Sequence, residues 1–429
     1  MAKSKLVMAV DIGTTKIAAI VGKVFDSGKV VVIAQKVVQS QGVRRGMVEN
    51  VTETVTSIRQ CLEQLKEQTD ISQLREVSVG IAGRHITSTQ NSTSIIRSQY
   101  TDPISSKELE DLQKQMYHMA LKPGQEILHV IPQDYTIDGS RVLKAEGCVG
   151  NKLTANYHIV IGEVSAIETI KMCIKKSGLT LRKLVLEPLA SADAVLTSEE
   201  KEEGVAMLDI GGGTSDLIIY HQNIVQSTTV IPCGGEVITD DIRVSCNISR
   251  NKAEYIKREY GSCFYTNTSA DEVITFPTVP GHDPRKLSFR TLAGITQARM
   301  DQIIEAVLFK IEESGLENTL HSIVLTGGGS LLRDLPQLVK FRSGLDTRIG
   351  IPTIQVENHA EAKRVNPALA TAVGLVISGY YDEKVGRKSR DERTGFFPLT
   401  FGKRAIDRVK VMATERLDKL FEEKDKPMI

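Results

Sequence analysis

Two short stretches of the chain combine an aspartate, glycines and hydroxyl side chains in an order that suits phosphate binding. The first holds Asp11, Gly13, Thr14, Thr15 and Lys16. The second holds Asp209, Gly211, Gly212, Gly213, Thr214 and Ser215. Glycine adopts positive φ and lets an anion approach the backbone, so consecutive N–H groups in such a turn can cradle a phosphate. The two aspartates suit a hydrated Mg²⁺ ion, which binds few carboxylates directly and keeps its waters.

Each glycine turn lies between apolar segments that have the pattern of strands. The predicted strands are Leu6–Val10, Lys16–Val24 and Val30–Val38 around the first turn, and Val205–Leu208, Ser215–Tyr220 and Asn223–Ile231 around the second. A Walker loop or a Rossmann fingerprint leads from a strand into a helix instead. A single strand–turn–strand unit also fits an ordinary hairpin. Two related copies predict a duplicated architecture that binds phosphates between its two halves.

Two further glycine clusters and one charged helix face are candidate parts of a nucleotide site. The clusters are Gly234 and Gly235, before a helix-compatible stretch, and Gly327, Gly328, Gly329 and Ser330, after the apolar run Ile323–Leu325. Glu254, Lys257 and Arg258 fall at i, i+3 and i+4, so they share one face of a predicted helix. That face either grips a ligand or belongs to an ordinary salt-bridged surface helix, and the sequence leaves both readings open.

The composition predicts a globular chain of two or more domains, with 429 residues of which 41% are hydrophobic and 25% charged. The net charge of +1 provides no general attraction for nucleic acid, so no nucleic-acid partner is expected. The six cysteines show no paired spacing, which predicts buried thiols in a reducing compartment. No signal peptide or membrane span is recognisable, which predicts a cytoplasmic chain unless a peripheral anchor attaches it to a membrane.

Together these motifs resemble the superfamily of actin, sugar kinases and the seventy-kilodalton heat-shock chaperones. The resemblance implies an α/β, actin-like (ribonuclease-H-like) two-domain duplication with an inserted subdomain and the nucleotide in the interdomain cleft. It implies ATP as the ligand, with Mg²⁺ held through water by Asp11 and Asp209. The glycines at 234–235 and 327–329 would lie beside the adenosine. The charged trio on the predicted helix matches a chaperone-like grip on adenine and ribose.

A closer resemblance, from Val7 to about Tyr380, is to the FtsA family of bacterial cell-division proteins. The segment Gly80–Ile86 is similar to the end of that family's first strand and helix section. Ile127–Asp138 is similar to the distinctive segment of its inserted subdomain, which actin and the chaperones lack. Nucleotide binding does not constrain that segment, so it is the most specific signal for this family.

The resemblance also implies a division of the chain. Residues 1–84, 161–199 and 360–383 are expected to form the first actin-like half, and residues 200–243 and 302–359 the second. The remaining ranges are the inserted subdomain at 85–160, a smaller subdomain at 244–301, a basic linker at 384–404 and a C-terminal amphipathic helix at 405–429.

Glu187 stands where the chaperones place a glutamate that orients water, although many members of the FtsA family have no carboxylate there. Glu187 and Asp209 are therefore the candidate catalytic residues for ATP hydrolysis, and the alternative for Glu187 is an ordinary loop residue before Pro188. A catalytic carboxylate must reach the attacking water directly or through one bridging water. ATP binding is expected, and slow hydrolysis stays an open question.

The family resemblance implies several partners. Arg285 and Arg299 lie in a region similar to the one that receives the tail of the tubulin-like protein FtsZ, and a guanidinium group suits a carboxylate. Without the family, both would read as solvated surface arginines. Self-association into filaments and recruitment of other division proteins through the inserted subdomain are also implied.

The C-terminal segment carries one apolar stripe, formed by Ile406, Val409, Leu417, Leu420 and Phe421. The linker before it holds seven basic and two acidic residues, a local charge of +5. The family usually ends in an amphipathic helix with Trp or Phe, and this chain contains no Trp. The stripe either binds an anionic membrane surface, at the cytoplasmic face of the cell membrane at the division site, or docks on protein.

The leading interpretation is a nucleotide-dependent adaptor that polymerises, links FtsZ filaments to the membrane and recruits later division proteins. One rival is a small-molecule kinase of the same superfamily, which needs an aspartate base for which the sequence shows no motif. The other rival is a pilus-assembly relative with the same inserted subdomain.

Overall fold

The computed structural model describes residues 4–25, 30–71, 73–267, 271–276, 284–356, 362–364 and 366–386. The strands are β1 (Ser4–Ile12), β2 (Lys16–Phe25), β3 (Val30–Gln39), β4 (Val43–Arg44), β5 (Met47–Val48), β6 (Glu76–Ile81), β7 (Ile86–Ile96), β8 (Gln125–Ile137), β9 (Ser140–Val142), β10 (Lys152–Glu163), β11 (Thr180–Leu186), β12 (Val205–Ile210), β13 (Ser215–His221), β14 (Ile224–Ile231), β15 (Val273–Phe276), β16 (Arg285–Ser288), β17 (Ser322–Thr326), β18 (Asp346–Ile349), β19 (Thr353–Val356) and β20 (Ala362–Arg364). The helices are α1 (Val51–Lys66), α2 (Ser106–Met116), α3 (Val164–Lys176), α4 (Glu187–Val195), α5 (Ser198–Glu203), α6 (Gly235–Cys246), α7 (Arg250–Tyr260), α8 (Phe289–Glu313), α9 (Leu335–Ser343) and α10 (Ala370–Gly386).

The chain divides into two compact units. The first comprises Met1–Glu236 and Val307–Tyr380, and the second comprises Val237–Ala306 with the chain from Tyr381 onward. The first unit contains a seven-stranded sheet of order β11-β6-β1-β2-β3-β19-β20 and a five-stranded sheet of order β14-β13-β12-β17-β18. It also contains a four-stranded sheet of order β7-β10-β8-β9.

The two larger sheets repeat one hairpin in the same register, which confirms the predicted duplication. In the first hairpin Asp11 pairs with Ala18, and in the second Asp209 pairs with Asp216. The turns close with equivalent hydrogen bonds, because the N–H of Gly13 donates to the Lys16 carbonyl at 3.0 Å and the N–H of Gly211 to the Thr214 carbonyl at 2.9 Å. The six strands predicted around these turns are therefore present, with small shifts at their ends.

The seven-stranded sheet is covered by helices on both faces, because successive side chains of a strand point to opposite sides. Met8 and Val10 of β1 pack with residues of α1 and α3 in one core. Val7 and Ala9 of the same strand pack with residues of α4 and α10 in another. This two-sided burial is the reason why β1 and β2 are almost continuously apolar.

Helix α10 approaches the rest of the first unit more closely than a helix with larger side chains could. A Cβ atom on Gly374 would lie 1.7 Å from the carbonyl oxygen of Ala190 in α4. One on Gly379 would lie 2.5 Å from the Ser78 hydroxyl of β6. Gly374 therefore lets α10 contact the backbone of α4, and Gly379 leaves room for the Ser78 side chain.

The inserted segment folds as an antiparallel sheet with its own core. Tyr157 and Leu153 of β10 are buried there together with Leu112 of α2. The same segment also contacts β14, the edge strand of the five-stranded sheet. Ser88 donates to the Thr228 carbonyl at 3.0 Å, and Nε2 of His158 lies 2.8 Å from the Thr228 hydroxyl.

The second unit contains α7, the two-stranded sheet of β15 and β16, and most of α8. One of its polar contacts is a bidentate pair, in which Nε and one terminal nitrogen of Arg299 lie 2.8 and 2.9 Å from the carboxylate oxygens of Asp241. Arg299 is 8% exposed. The pair fixes α8 against α6 within this unit.

The pairing of β19 differs from the predicted division of the chain. Strand β19 pairs in parallel with β3, with Gln355 opposite Val31, and so belongs to the first sheet although residues up to 359 were expected in the second half. Helix α10 extends through Gly386 into the predicted linker, and the rest of that linker and the predicted helix at 405–429 lie outside the described residues. In the portion of the chain with described structure, no helix has the length and apolar character needed to cross a bilayer.

Candidate phosphate and metal site

The two glycine turns face each other within the first unit. A Cβ atom on Gly212 would lie 2.4 Å from the Thr15 side chain, and one on Gly213 would lie 2.5 Å from the Thr14 hydroxyl. The Thr14 hydroxyl also accepts the N–H of Gly46 at 3.0 Å. The structure therefore brings the predicted turns together, and glycine is required because the opposite turn fills the space of a side chain.

Lys16 is held at the first turn by two oxygens. Its ammonium group lies 3.1 Å from Oδ2 of Asp11 and also donates to the carbonyl of Ala368, which precedes α10. The Lys16 side chain is 26% exposed, whereas the Asp11 side chain is 5% exposed. A partly exposed cation beside a glycine turn can meet an anionic ligand.

Asp209 lies next to the last residue of β12 and is held by two hydroxyl groups. Ser191 of α4 donates to its Oδ2 at 2.6 Å, and Thr371 of α10 lies 3.2 Å from the same oxygen. Burial raises the pKa of Asp209, while the Ser191 and Thr371 hydroxyls and the Lys16 charge act in the opposite direction.

Four carboxyl groups lie close enough to influence one another electrostatically. Burial, followed by the charges of Asp11, Asp216 and Asp209, raises the pKa of Glu187 well above its usual range. Burial and the charge of Asp209 raise the pKa of Asp216 in the same way. Oδ1 of Asp216 is buried without a hydrogen-bond partner. Ionised together, the four groups would carry four negative charges against the single charge of Lys16, which favours a bound cation.

Glu187 is the first residue of α4 and not a loop residue. Pro188 lies in the first turn of the helix, where backbone N–H groups have no acceptor within the helix. Proline, which has no N–H, therefore loses no hydrogen bond at this position. The side chain of Glu187 lies over Gly80 of β6, where a Cβ atom would be 2.8 Å from its Cγ. The glycine of the Gly80–Ile86 segment thus makes room for a carboxylate beside the turns.

The residues present fit a hydrated Mg²⁺ ion better than a directly ligated metal. Among the residues with described structure, no three His, Cys, Asp or Glu side chains form a group that could hold a metal ion. Acidic side chains that are too far apart to bind one metal ion directly can still accept hydrogen bonds from the waters of Mg²⁺, which retains several of them. The buried, unpartnered Oδ1 of Asp216 and the raised pKa values of Glu187 and Asp216 are the observations that support this fit.

Two other predicted glycine clusters lie against the second turn. The N–H groups of Gly235 and Glu236 donate to the carbonyls of Gly211 and Gly212 at 2.9 and 2.8 Å. Gly327 has φ of +80°, and a Cβ atom there would lie 2.2 Å from Oδ1 of Asp209. Gly328, Gly329 and Ser330 continue from it in a short 3₁₀ helix.

The charged trio lies on α7 of the second unit. Nζ of Lys257 is 2.7 Å from Oε2 of Glu254 and donates to the Thr239 hydroxyl at 2.8 Å, whereas Arg258 is exposed. Lys257 and Glu254 therefore form a salt bridge in which Lys257 is buried against α6. Their predicted role in holding adenosine stays a prediction.

The two arginines predicted to meet a partner differ in exposure. Arg285 is exposed, with one terminal nitrogen donating to the Cys246 carbonyl at 2.6 Å. Arg299 is buried, and its guanidinium group is already paired with the Asp241 carboxylate. The expectation that Arg299 reads a partner's carboxylate is corrected on this ground.

Sequence reasoning did not identify Asp216, Ser191 or Thr371. Asp216 could have been found, because a carboxylate inside the apolar strand Ser215–Tyr220 is costly unless it serves a function. Ser191 and Thr371 carry no comparable signal, since small hydroxyl residues are common in helices.

Comparisons with known proteins agree with this architecture. The family model "Cell division protein FtsA" matches residues 206–374, and the model "SHS2 domain inserted in FTSA" matches residues 83–161. The second match coincides with the four-stranded inserted sheet. Two models thus match the inserted segment and the second repeat separately.

One relative and two solved structures show the extent of the similarity. The chain is 33% identical over 385 residues to the cell division protein FtsA of Pseudomonas aeruginosa, covering 89% of this chain and 91% of that protein. A structure of the PilM–PilN type IV pilus biogenesis complex superposes with a TM-score of 0.61 at 16% identity, covering 87% and 98% of the two chains. MreB5 of Spiroplasma citri superposes with a TM-score of 0.51 at 14% identity, covering 90% and 99%.

The structural neighbours, the duplicated hairpin sheets and the inserted subdomain confirm the predicted actin-like two-domain fold. Identity at this level over nine-tenths of both sequences, together with the two family models, decides the family. The chain belongs to the FtsA family of cell division proteins.

Proposed function

We propose that this chain binds ATP with Mg²⁺ at the facing glycine turns and acts as an adaptor in cell division. In this role it polymerises, links FtsZ filaments to the cytoplasmic face of the cell membrane and recruits later division proteins. The observation that carries the nucleotide part is the meeting of the two turns above the carboxylate cluster. Family membership carries the division part.

The phosphate end of the proposed site rests on Lys16 and the four carboxyl groups. Lys16 supplies the positive charge at the first turn, and backbone N–H groups of both turns can donate to phosphate oxygens. When bound, Mg²⁺ would supply the positive charge that offsets Asp11, Asp209, Asp216 and Glu187. MreB5 of Spiroplasma citri, which shares the fold, was solved bound to ADP. The assignment of Glu254, Lys257 and Arg258 to adenosine remains part of this proposal, and it rests on the family resemblance alone.

Lys16→Met is expected to weaken Mg²⁺–ATP binding about 10-fold or more, because a charge-assisted contact to phosphate contributes roughly 1.5–3 kcal/mol. Titration calorimetry with a non-hydrolysable ATP analogue measures the change. Lys23→Met, at the other end of the same strand β2, is the matched control and should bind as the unaltered chain does. Equal affinities of the Lys16→Met and Lys23→Met variants for the ATP analogue would show that Lys16 does not contact the phosphates.

Glu187 is the proposed water-orienting residue if the chain hydrolyses ATP. Its side chain lies over Gly80 beside the two turns, which is the region where a carboxylate would have to reach an attacking water. Asp209 would contribute through the hydrated metal. The rate of such hydrolysis depends on the position of the attacking water.

For the contact with the FtsZ tail, the proposal relies on Arg285. An exposed guanidinium on the edge of the β15–β16 sheet can pair with a carboxylate of an acidic segment. Arg299 supports the same unit from inside through Asp241. A charge reversal at Arg299 would leave Asp241 facing a second carboxylate, so it would report on stability and not on the partner.

One flotation experiment separates the two ends of the proposed adaptor. Anionic phosphatidylglycerol vesicles are mixed with a labelled FtsZ tail peptide and the full chain, which is expected to carry the peptide to the vesicles. A chain that ends at Tyr381 should leave both components in solution. Arg285→Glu should float without the peptide, whereas Lys286→Glu, at the exposed neighbouring position, should retain it.

Two results would contradict the adaptor. If the chain that ends at Tyr381 floats with the vesicles, the C-terminal segment is not required for membrane attachment. If the Arg285→Glu and Lys286→Glu variants recover equal amounts of peptide, Arg285 does not bind the FtsZ tail.

A further inference from the structure

Asp209, Ser191 and Thr371 form a closed polar group inside the first unit. Oδ2 of Asp209 lies 2.6 Å from the Ser191 hydroxyl and 3.2 Å from the Thr371 hydroxyl, and the two hydroxyls lie 3.0 Å apart. All three residues are buried, with Ser191 fully inaccessible. They belong to three elements that are distant in sequence, β12, α4 and α10.

The number of protons assigns a role to each hydroxyl. Ser191 and Thr371 carry one hydroxyl proton each, so only two of the three short contacts can be hydrogen bonds at one time. The 2.6 Å distance is that of a charge-assisted bond, in which Ser191 donates to the carboxylate. The Thr371 proton is then left to bond either Oδ2 of Asp209 or the Ser191 oxygen. Ser191 is the main donor to Asp209, and Thr371 supports both groups.

The other oxygen of Asp209 is treated differently. Oδ1 accepts no hydrogen bond from any residue in the described ranges, and it lies against Gly327, where a Cβ atom would be 2.2 Å away. The carboxylate is therefore oriented through Oδ2 alone. Glycine at 327 leaves space around Oδ1.

The helices that carry the two hydroxyls are fixed close together. Gly374 lies one turn after Thr371 in α10, and its backbone contacts Ala190, the residue before Ser191 in α4. This contact sets the 3.0 Å separation of the hydroxyls. Asp209 comes from the second actin-like repeat, whereas α4 and α10 cover the sheet of the first.

We propose that Ser191 and Thr371 are positioning residues that orient the Asp209 carboxylate for the hydrated Mg²⁺ of a bound nucleotide. This assignment rests on the proposed nucleotide function. The hydroxyl pair does not contact the nucleotide itself. Its loss should therefore weaken metal-dependent binding and leave metal-free binding nearly unchanged.

The test measures the affinity of the full chain for a non-hydrolysable ATP analogue, once with excess Mg²⁺ and once with EDTA. Ser191→Ala is expected to weaken binding with Mg²⁺ about 10-fold or more, as substitutions behind a metal ligand do, and to change binding in EDTA less than about 2-fold. Thr371→Val, which keeps the side-chain volume, should weaken binding with Mg²⁺ less than Ser191→Ala does. Thr371→Ser, which restores the hydroxyl, should bind within about 2-fold of the unaltered chain.

Thr296→Val is the matched control, because Thr296 is a buried helical threonine whose hydroxyl donates to the Leu292 carbonyl. It should not change the dependence on Mg²⁺. Thermal melting checks the fold of each variant, and if Ser191→Ala does not fold, the Val and Ser variants at 371 decide. Equal weakening with Mg²⁺ and in EDTA, or a Thr371→Ser variant as weak as Thr371→Val, would overturn the assignment. Lack of Mg²⁺-dependent binding by the unaltered chain would instead overturn the proposed function, and this assignment with it.

Discussion

Replacement of Gly374 by alanine is expected to lower the free energy of unfolding by more than about 3 kcal/mol, because the new methyl group has no space. The Cβ atom would lie 1.7 Å from the Ala190 oxygen and 2.3 Å from its carbonyl carbon. These are backbone atoms of α4, so no side-chain rotation relieves the clash and the two helices must separate. Thermal unfolding should show a midpoint lowered by at least about 5 °C.

The matched control for this variant is Gly294→Ala in α8. Gly294 also lies inside a helix, but a Cβ atom there would have no heavy atom within 4 Å apart from its own helix and neighbours. Alanine is favoured over glycine in a helix by roughly 0.5–1 kcal/mol, so this variant should be slightly more stable. Similar melting temperatures for the two variants would show that α4 and α10 are not in backbone contact.

Because Gly374 also holds Thr371 beside Ser191, the variant reports on more than stability. At a temperature where Gly374→Ala remains folded, it should show the same selective loss of Mg²⁺-dependent binding as the hydroxyl variants. Helix packing and metal affinity are thus expected to change together.

The second large effect concerns the nucleotide-free protein, which Glu187→Gln is expected to stabilise increasingly as the pH rises above 4.5. Burial and the charges of Asp11, Asp216 and Asp209 raise the folded-state pKa of Glu187 well above its ordinary value of 4.5. The stability associated with the protonated group is fully present below pH 4.5 and is lost as the pH rises through the folded-state pKa. Glutamine is neutral throughout and avoids this loss.

The stability difference between the two proteins should grow by up to about 1.4 kcal/mol for each pH unit between 4.5 and the folded-state pKa. Urea unfolding at several pH values, without nucleotide and in EDTA, measures it. Excess Mg²⁺ with the ATP analogue should reduce the difference, because a bound cation offsets the negative charges. A pH-independent difference would show that Glu187 is not protonated in the folded protein.

Glu200→Gln provides a control with the opposite sign. Burial alone would raise the pKa of Glu200, but hydrogen bonds from Arg348 and from the Thr197 N–H lower it below the ordinary value. Its carboxylate oxygens lie 2.6 Å from two guanidinium nitrogens of Arg348. Stability from this group is present above pH 4.5 and is lost as the pH falls through the lowered value. Glu200→Gln should therefore destabilise the protein at neutral pH and have little effect in strong acid.

The carboxylate cluster gives the nucleotide-free protein a specific weakness. Four acidic groups lie near one lysine, and burial raises the pKa of three of them, Glu187, Asp209 and Asp216. A bound cation would remove this penalty. Metal and nucleotide binding should accordingly raise the melting temperature more at pH 8 than at pH 5.

Local sequence patterns were sufficient for the turns and for the duplication. An aspartate and glycines at the end of an apolar strand restrict the backbone within a few residues, so their structure hardly depends on the remaining fold. The inserted segment was recognised from its resemblance to one family. The strand β19 was assigned to the wrong half, because its sequence is compatible with pairing at the edge of either sheet.

The two arginines illustrate what residue type alone cannot decide. Arg285 and Arg299 have the same chemistry and lie in neighbouring segments, yet one is exposed and the other is enclosed by Asp241. Burial of a guanidinium depends on a carboxylate supplied by another helix, in this case α6. Only packing within the second unit could separate a surface contact from an internal one.

The sequence by itself determined that an aspartate and glycines recur in the turns of two related hairpins, the first of which also carries Lys16, and that the chain resembles the FtsA family. The tertiary structure decided which side chains complete the site. Ser191, Thr371 and Asp216 have no recognisable motif, and they meet Asp209 because α10 contacts α4 at a glycine and because β13 returns beside β12. Hydrogen bonds between distant segments depend on distances of a few ångströms, which packing of the whole unit sets and local sequence does not.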